Sequence, residues 1–393
     1  MQQICKREQC TGCGACANAC IHHAIDLKPD KCGYLYPVIN NNICRDCGLC
    51  QRICPVNNPP EYQAIEKCFA GTLKSDKELL SCSSGGVATA ISRYFISIGG
   101  VVYGCSASNI LHVQHIRVDI MEDIEKLKGS KYVHSDIGNT YIHVKEDLLR
   151  GKKVLFVGTP CQVAGLYSFL RTKYDNLCTI DLVCHGVPSQ KMLNDNISSN
   201  SVDNDVITFR IKQKVKNETR IVFGLNRYNT MTGNSIFKPY HRDFYMFGFL
   251  RCLTFRVNCY FCSYAQNKRV GDITLCDFWG LSETAGFELG KGVSAILVTN
   301  KKGLKVVESV KDNLFIKERE IIEAMRWNNQ LNNPSRKPKR YTIFIKLYEK
   351  CSFRQAMIIA YLIDYIYDRY IDKKNKLKLF LIKHNLLHIY KVP

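Results

Sequence analysis

No uninterrupted apolar run in these 393 residues approaches the roughly 18 positions that a membrane-crossing helix requires. That lack excludes an integral helical membrane protein. The opening residues, MQQICKREQC, hold no apolar leader segment, so the expected compartment is the cytoplasm. Acidic side chains are scarce, 35 against 55 lysines and arginines, and the net charge of +20 favours anionic surfaces or acidic partners. Nucleic acid is not among the expected partners, because no binding motif accompanies the basic residues. With 46% apolar and 10% aromatic residues, the chain reads as a soluble globular protein, not a disordered one. Its length suits about two or three domains.

What abounds is cysteine. Twenty-one of them in a chain read as cytosolic are not a disulfide framework, because cytosolic thiol pools keep such bridges reduced. Ligation is the alternative, and spacing supports it. CTGCGACANAC places Cys10, Cys13, Cys16 and Cys20, and CRDCGLCQRICP places Cys44, Cys47, Cys50 and Cys54. Both runs are the pattern that holds cubane iron–sulfur clusters in two-cluster ferredoxins, where the fourth cysteine of each run serves the other cluster. The expected sets are Cys10, Cys13, Cys16 with Cys54, and Cys44, Cys47, Cys50 with Cys20. Small residues such as Gly12, Gly14 and Ala15 let backbone N–H groups approach the sulfides. A pair of zinc sites needs no third evenly spaced cysteine. Ile21, not proline, follows Cys20, and Cys5 and Cys32 read as buried or incidental thiols.

PVNNPPEYQ then reads as a linker. LLSCSSGGVATAISRYFISIGGVVYGCSA follows with a Ser/Gly turn, a helical stripe (Val87, Ile91, Tyr94, Phe95, Ile98), a Gly-Gly stop and a strand. A Ser-Gly-Gly turn opening a helix suits a phosphate or is simply a helix start. Further on, KKVLFVGTP, QVAGLYSFLRTKY and LCTIDLVCHGVPS read as a parallel βαβ unit that brings Cys161 and Cys184 to the carboxyl edge of a sheet, where α/β folds bind ligands. Cys161 also stands at a helix start, where the dipole favours thiolate, so a free low-pKa thiol is one reading. Cys259 and Cys262 of CYFC complete a set of four thiols, fit for a third cubane or for zinc.

SSGGVATAIS, LKGSKYVHS, LFVGTPCQVAGL, DLVCHGVPS, CYFC and GDITLCDFWG, in this order, resemble the family of coenzyme F-420 hydrogenase/dehydrogenase beta subunits, preceded by a dicluster ferredoxin module. The resemblance runs from about Cys10 to Trp327. It implies an FAD-bearing α/β domain with at least one cubane, in which Ser84, Gly85 and Gly86 line the FAD diphosphate with Ser130, Lys131 and Thr159 nearby. It also implies electron exchange among ferredoxin-type clusters, FAD and a two-electron partner. On the residues alone, Lys131 neutralises phosphate or is merely solvated. Asp277 and Trp279 follow a strand, and Trp279 stacks on a flavin ring or fills the core. His185 donates a proton or satisfies a core carbonyl. Those last three are the candidate catalytic residues. Cys82 and Cys276 adjoin motifs without an assigned ligand role.

From Arg336 onward there are 14 basic and 4 acidic residues, and Ile359, Leu362, Ile363 and Ile366 form a helical stripe. Such a basic amphipathic tail lies peripherally on an anionic membrane face, docks on an acidic ferredoxin or other redox partner, or packs on the core. The expected architecture is an α+β ferredoxin-like dicluster module over residues 1–60, an α/β flavin domain over 61–335 and a basic helical tail over 336–393. The expected function is that of an iron–sulfur flavoprotein oxidoreductase acting on a small-molecule substrate or a deazaflavin-like cofactor. The alternatives are an electron-relay subunit without its own substrate, and a cluster-bearing sensor or zinc-binding module.

Overall fold

In the computed structural model the described residues are 3–197, 205–215 and 218–383. The two cysteine runs fold alike because both read C-x-x-C-G-x-C. Gly14 (φ 79°) and Gly48 (φ 68°) take left-handed backbone that a side chain disfavours, and each turns a ligand loop into a short helix, Ala15–Ala19 and Leu49–Arg52. Between them the hairpin Ile25–Pro29/Leu35–Ile39 is closed by Asp30, whose Oδ1 accepts from the N–H groups of Cys32 and Tyr34 at 3.0 and 2.9 Å.

This module packs directly on the rest of the chain. A Cβ at Gly165 would stand 2.9 Å from Cys13 Cβ. Asn18 Nδ2 donates to Gly138 O at 2.7 Å, and Tyr34 Oη donates to Thr254 O at 3.0 Å. The stretch 55–63 has little regular structure, as expected of a linker, but it is tied down: Asn57 Nδ2 donates to Ile4 O at 2.9 Å, and Gln63 bridges to Arg269.

The larger part is built on an eight-stranded sheet, ordered Leu314–Arg319, Lys67–Leu73, Ser294–Val298, Ile273–Asp277, Leu177–Leu182, Val154–Gly158, Val101–Ser106, Gln114–Val118. Four neighbouring strands, from 273–277 across to 101–106, are mutually parallel. Their apolar runs are buried on both faces, as crossover connections require. The expected βαβ unit is present. Thr159 ends its first strand and caps the helix Pro160–Leu170: its N–H donates to Gln162 Oε1 at 3.0 Å, and Pro160 occupies the first turn, where a missing donor is harmless. The helix Val87–Ser97 buries Val87, Ile91 and Phe95 of the expected stripe, while Tyr94 is half-buried and Ile98 is exposed at the C-cap.

A three-stranded antiparallel meander (Asp205–Val215, Glu218–Asn229, Ser235–Pro239) lies over the carboxyl edge of the parallel strands. Lys212 ties it down by donating to the carbonyls of Leu79 and Ser84, the latter at 2.9 Å.

The basic segment does not begin as a detached tail. Helix Tyr341–Tyr348 and the start of helix Phe353–Lys383 bury Tyr341, Phe344, Tyr348, Phe353, Ala356, Met357, Ala360 and Tyr361 in one cluster with Tyr34, Tyr36 and Cys10. The inward face is set by these positions, and Ile359 and Leu362 of the expected stripe point to solvent rather than pack on the core. Side chains of Ile363 and Ile366 lie outside the described residues, as do residues 384–393. Non-helical backbone at Tyr361 (φ −137°) kinks the long helix where burial ends. No described helix is long and apolar enough to cross a membrane.

Candidate functional site

The first cysteine set assembles across the two runs. Cys10, Cys13, Cys16 and Cys54 are all buried, and Cys16 feels the charges of the other three. Burial pushes the Cys13 thiol up to about 12 and Cys16 well above its usual range. Cys5, read from sequence as a buried or incidental thiol, belongs to this group. Its neighbourhood lowers the Cys10 and Cys54 thiols and raises its own, so it keeps its proton. The second set is shallower. Cys50 interacts with Cys44 and Cys47, Cys20 and Cys50 flank one apolar cluster, and Cys47 is exposed. The packing thus brings Cys54 of the second run to Cys10 and Cys16 of the first.

The third set lies at the carboxyl edge of the sheet. Cys161 is at the start of its helix and Cys184 is just beyond the strand Leu177–Leu182, while Cys259 lies within the turn Val257–Phe261 and Cys262 follows its end. The fields of Cys184, Cys161 and Cys262 act on Cys259 after burial does. The low-pKa reading of Cys161 is corrected here. Burial outweighs the helix dipole and lifts its thiol to about 11, although Thr159 Oγ1 lies 3.2 Å from Sγ. Cys184 is likewise raised to about 12 by burial. Such thiols stay protonated unless a positive core is supplied, and a coordinated metal reverses the balance. The thiols face one another without closing on a point: among the described residues no three His, Cys, Asp or Glu side chains form a single-ion cage.

The same thiols form one wall of a cavity of about 330 Å³, within the range of small-molecule sites. Ser84, Gly86, Ser130, Lys131, Thr159, His185, Asp277 and Trp279 also line it. Thr11, next to Cys10, reaches it from the dicluster module. Gly85 does not line it. A Cβ there would sit 2.2 Å from Gly71 O and 2.7 Å from Ser294 N, so its smallness lets the turn lie against the sheet. Gly86 (φ 78°) opens the helix Val87–Ser97 toward the cavity. Ser83 Oγ accepts from Ser130 N at 2.7 Å and joins the two loops.

Lys131 is not solvated. Its Nζ donates to the carbonyls of Leu127 and Lys128 at 2.8 and 2.7 Å, and burial lowers it to about 8. Asp277 is engaged rather than free, its two oxygens held by Arg210 Nη1 at 2.9 and 2.8 Å. Tyr132 Oη also bonds Arg210. Both members of this ion pair are nearly buried, at 10% and 12% exposure. Trp279, 40% exposed and 6.4 Å from the Phe223 ring, is no core filler. His185 is shifted down by burial and by Arg210, so its imidazole is neutral near pH 7, and its ring has no hydrogen-bond partner among the described residues.

Sequence reasoning assigned no role to Arg210, Tyr132 or Cys5. Arg210 comes from a segment without motif character, whereas Tyr132 stood within LKGSKYVHS and Cys5 beside the first cysteine run.

Residues 9–58 match the family described as 4Fe-4S dicluster domain, and residues 151–324 match the family described as the C terminus of the coenzyme F420 hydrogenase/dehydrogenase beta subunit. Among curated proteins, the F subunit of F(420)H(2) dehydrogenase from Methanosarcina mazei is 23% identical over 172 residues, 41% of this chain and 48% of that protein. Coenzyme F420-dependent sulfite reductase of Methanocaldococcus jannaschii is 27% identical over 188 residues, 46% of this chain and 28% of that protein. The chain thus spans less than half the length of either relative. A chain in a structure of the F420-reducing [NiFe] hydrogenase complex from Methanosarcina barkeri aligns with a TM-score of 0.45 at 17% identity, covering 71% of this chain and 98% of that one. The chain carries an N-terminal 4Fe-4S dicluster domain and belongs, through residues 151–324, to the C-terminal-domain family of coenzyme F420 hydrogenase/dehydrogenase beta subunits.

Proposed function

We propose that this chain is an iron–sulfur flavoprotein that moves electrons between an outer redox partner and a small two-electron molecule in the cavity, with a deazaflavin such as coenzyme F420 the leading candidate. The observation that carries the reading is the cavity itself. One wall presents Cys161, Cys184, Cys259 and Cys262, the other presents the Ser-Gly-Gly helix start with Lys131, and Cys13 packs against the helix that bears Cys161. Exposed Cys47 puts the second cysteine set at the surface, where a ferredoxin or other redox protein makes contact.

The twelve cysteines are the ligands of three cubanes in this reading, two in the N-terminal module and one on the cavity wall. Ser83, Ser84, Gly86 and Lys131 hold a diphosphate by N–H donors, hydroxyls and an ammonium. FAD bound there supplies the conversion between one-electron and two-electron chemistry. Asp277 fixes Arg210 on the cavity wall, and Trp279 offers a flat surface at its mouth. His185, neutral, accepts a proton or donates its one N–H.

A relay subunit without its own substrate is the second reading, favoured by the name of the Methanosarcina mazei relative, a subunit of a larger dehydrogenase. Anaerobic purification with iron, sulfide and flavin assays tests the first reading. About twelve irons and bound FAD are expected, and Cys161→Ser should lose about four irons and leave the rest. Flavin-free wild-type protein from flavin-replete cells, or full iron in Cys161→Ser, overturns it. Oxidation of reduced F420 by the isolated chain separates enzyme from relay.

A further inference from the structure

Two arginines are completely buried, and they are held differently. Arg269 (side chain 1% exposed) forms an ion pair with Asp181 at 2.8 Å. Arg256, also 1% exposed, has no such mate among the described residues. Its Nε donates to Cys10 O at 2.7 Å, and its guanidinium carbon stands 3.9 Å over the Tyr36 ring. Its Nη2 is buried without a partner. Gly12 (φ 69°) makes room, since a Cβ there would come 3.2 Å from Nη1.

A guanidinium remains charged in any protein environment. Burying that charge without an anion costs several kcal/mol. Among the described residues no carboxylate pairs with it, and His134, with its own unpartnered Nε2, is held neutral by burial and by Arg256. The backbone of Arg256 leads into the third cysteine set, its carbonyl accepting from Cys259 N at 3.0 Å, while its side chain reaches into the first. A cubane on four thiolates is a net anion in both of its working oxidation states. We infer that Arg256 is the shared counter-charge of two adjacent clusters, the one on Cys10, Cys13, Cys16 and Cys54 and the one on Cys161, Cys184, Cys259 and Cys262, and holds both their reduction potentials up. The inference rests on the three-cluster reading above.

Potentiometric titration of full-length, anaerobically purified protein, followed by electron paramagnetic resonance, tests it. Arg256→Gln keeps a donor for Cys10 O and removes the charge. At a fixed potential the reduced-to-oxidised ratio of both inner clusters should fall at least tenfold, a shift of about 59 mV for a one-electron couple. The cluster on Cys20, Cys44, Cys47 and Cys50 should not move. Unshifted inner potentials at full iron, or an equal shift of all three clusters, overturns the inference and leaves Arg256 a strut. If Arg256→Gln does not accumulate, Arg256→Lys carries the test: it keeps the charge and should hold both potentials, and a fall as large as that expected of the neutral variant overturns the charge reading. Wild-type protein with only about eight irons overturns the inference together with the three-cluster reading, and does so before any substitution is made.

Discussion

Gly165→Ala probes the joint between the dicluster module and the helix that carries Cys161. A Cβ at Gly165 would stand 2.9 Å from Cys13 Cβ, 3.0 Å from Cys13 Sγ and 2.9 Å from Tyr141 Oη. Ordinary contacts are about 3.5–4.0 Å, so the surfaces must part by about half an ångström or more. Overpacking of this kind costs about 1–3 kcal/mol. Alanine in a helix interior returns about 1 kcal/mol over glycine. The net expectation is a loss of about 0–2 kcal/mol, with the strain falling on a ligand of the first cluster. Urea unfolding followed at the cluster absorbance, with the resonance spectrum of the first cluster, reads both effects. A gain of about 1 kcal/mol, the propensity effect alone, with an unchanged spectrum would show that the module does not press on this helix and would refute the packing argument.

Asp277→Asn should destabilise the protein by about 3–5 kcal/mol, because it leaves nearly buried Arg210 without its anion; denaturant midpoints that match wild type would dismiss the pair as a structural tie. His115 is 6% exposed and lowered to about 4 by burial, while its unfolded value is near 6.5. The unfolded chain binds the extra proton, so stability is complete above pH 6.5 and is lost as pH falls toward 4, by up to about 3 kcal/mol. Far-ultraviolet circular dichroism melts across that range check it, and His115→Phe should flatten the slope. Removing residues 373–393, which contain six lysines and no acidic residue, should preserve the fold and weaken low-salt binding to anionic vesicles or an acidic ferredoxin. Equal binding by both forms would assign those lysines no docking role. Truncation from Arg336, by contrast, removes Phe344 and Phe353 from the core and should unfold the chain.

How much was legible in the sequence depended on how local each cause is. The cysteine runs declare themselves because the ligand loop and its turning glycine fit within eleven residues, and the βαβ unit because VLFVG and its capped helix are contiguous. Placing Cys161 and Cys184 on one edge followed from strand direction, and Cys259 and Cys262 joined them only because CYFC brings the count of thiols to four. What escaped reading depends on distant partners. Arg210 acquires meaning only when the meander brings it to Asp277, and Cys5 only when Cys54 returns to it. The helix-start argument for Cys161 weighed the dipole without knowing the burial that outweighs it. The packing of the last helix start was not legible because its inward face is chosen by Tyr34, Tyr36 and their neighbours, more than 300 positions away.

That shared cluster of Cys10, Tyr34 and Tyr36 with Tyr341, Phe344 and Phe353 also sets a timetable for biogenesis. A ribosome adds about 5–20 residues each second, so Phe353 follows the end of the dicluster stretch by about 15–60 s. Through that interval the nascent N-terminal thiols cannot be shielded by the helices that finally cover them. In that interval the first cysteine set is open to incoming iron or to a guarding chaperone, and the last helices later close over it.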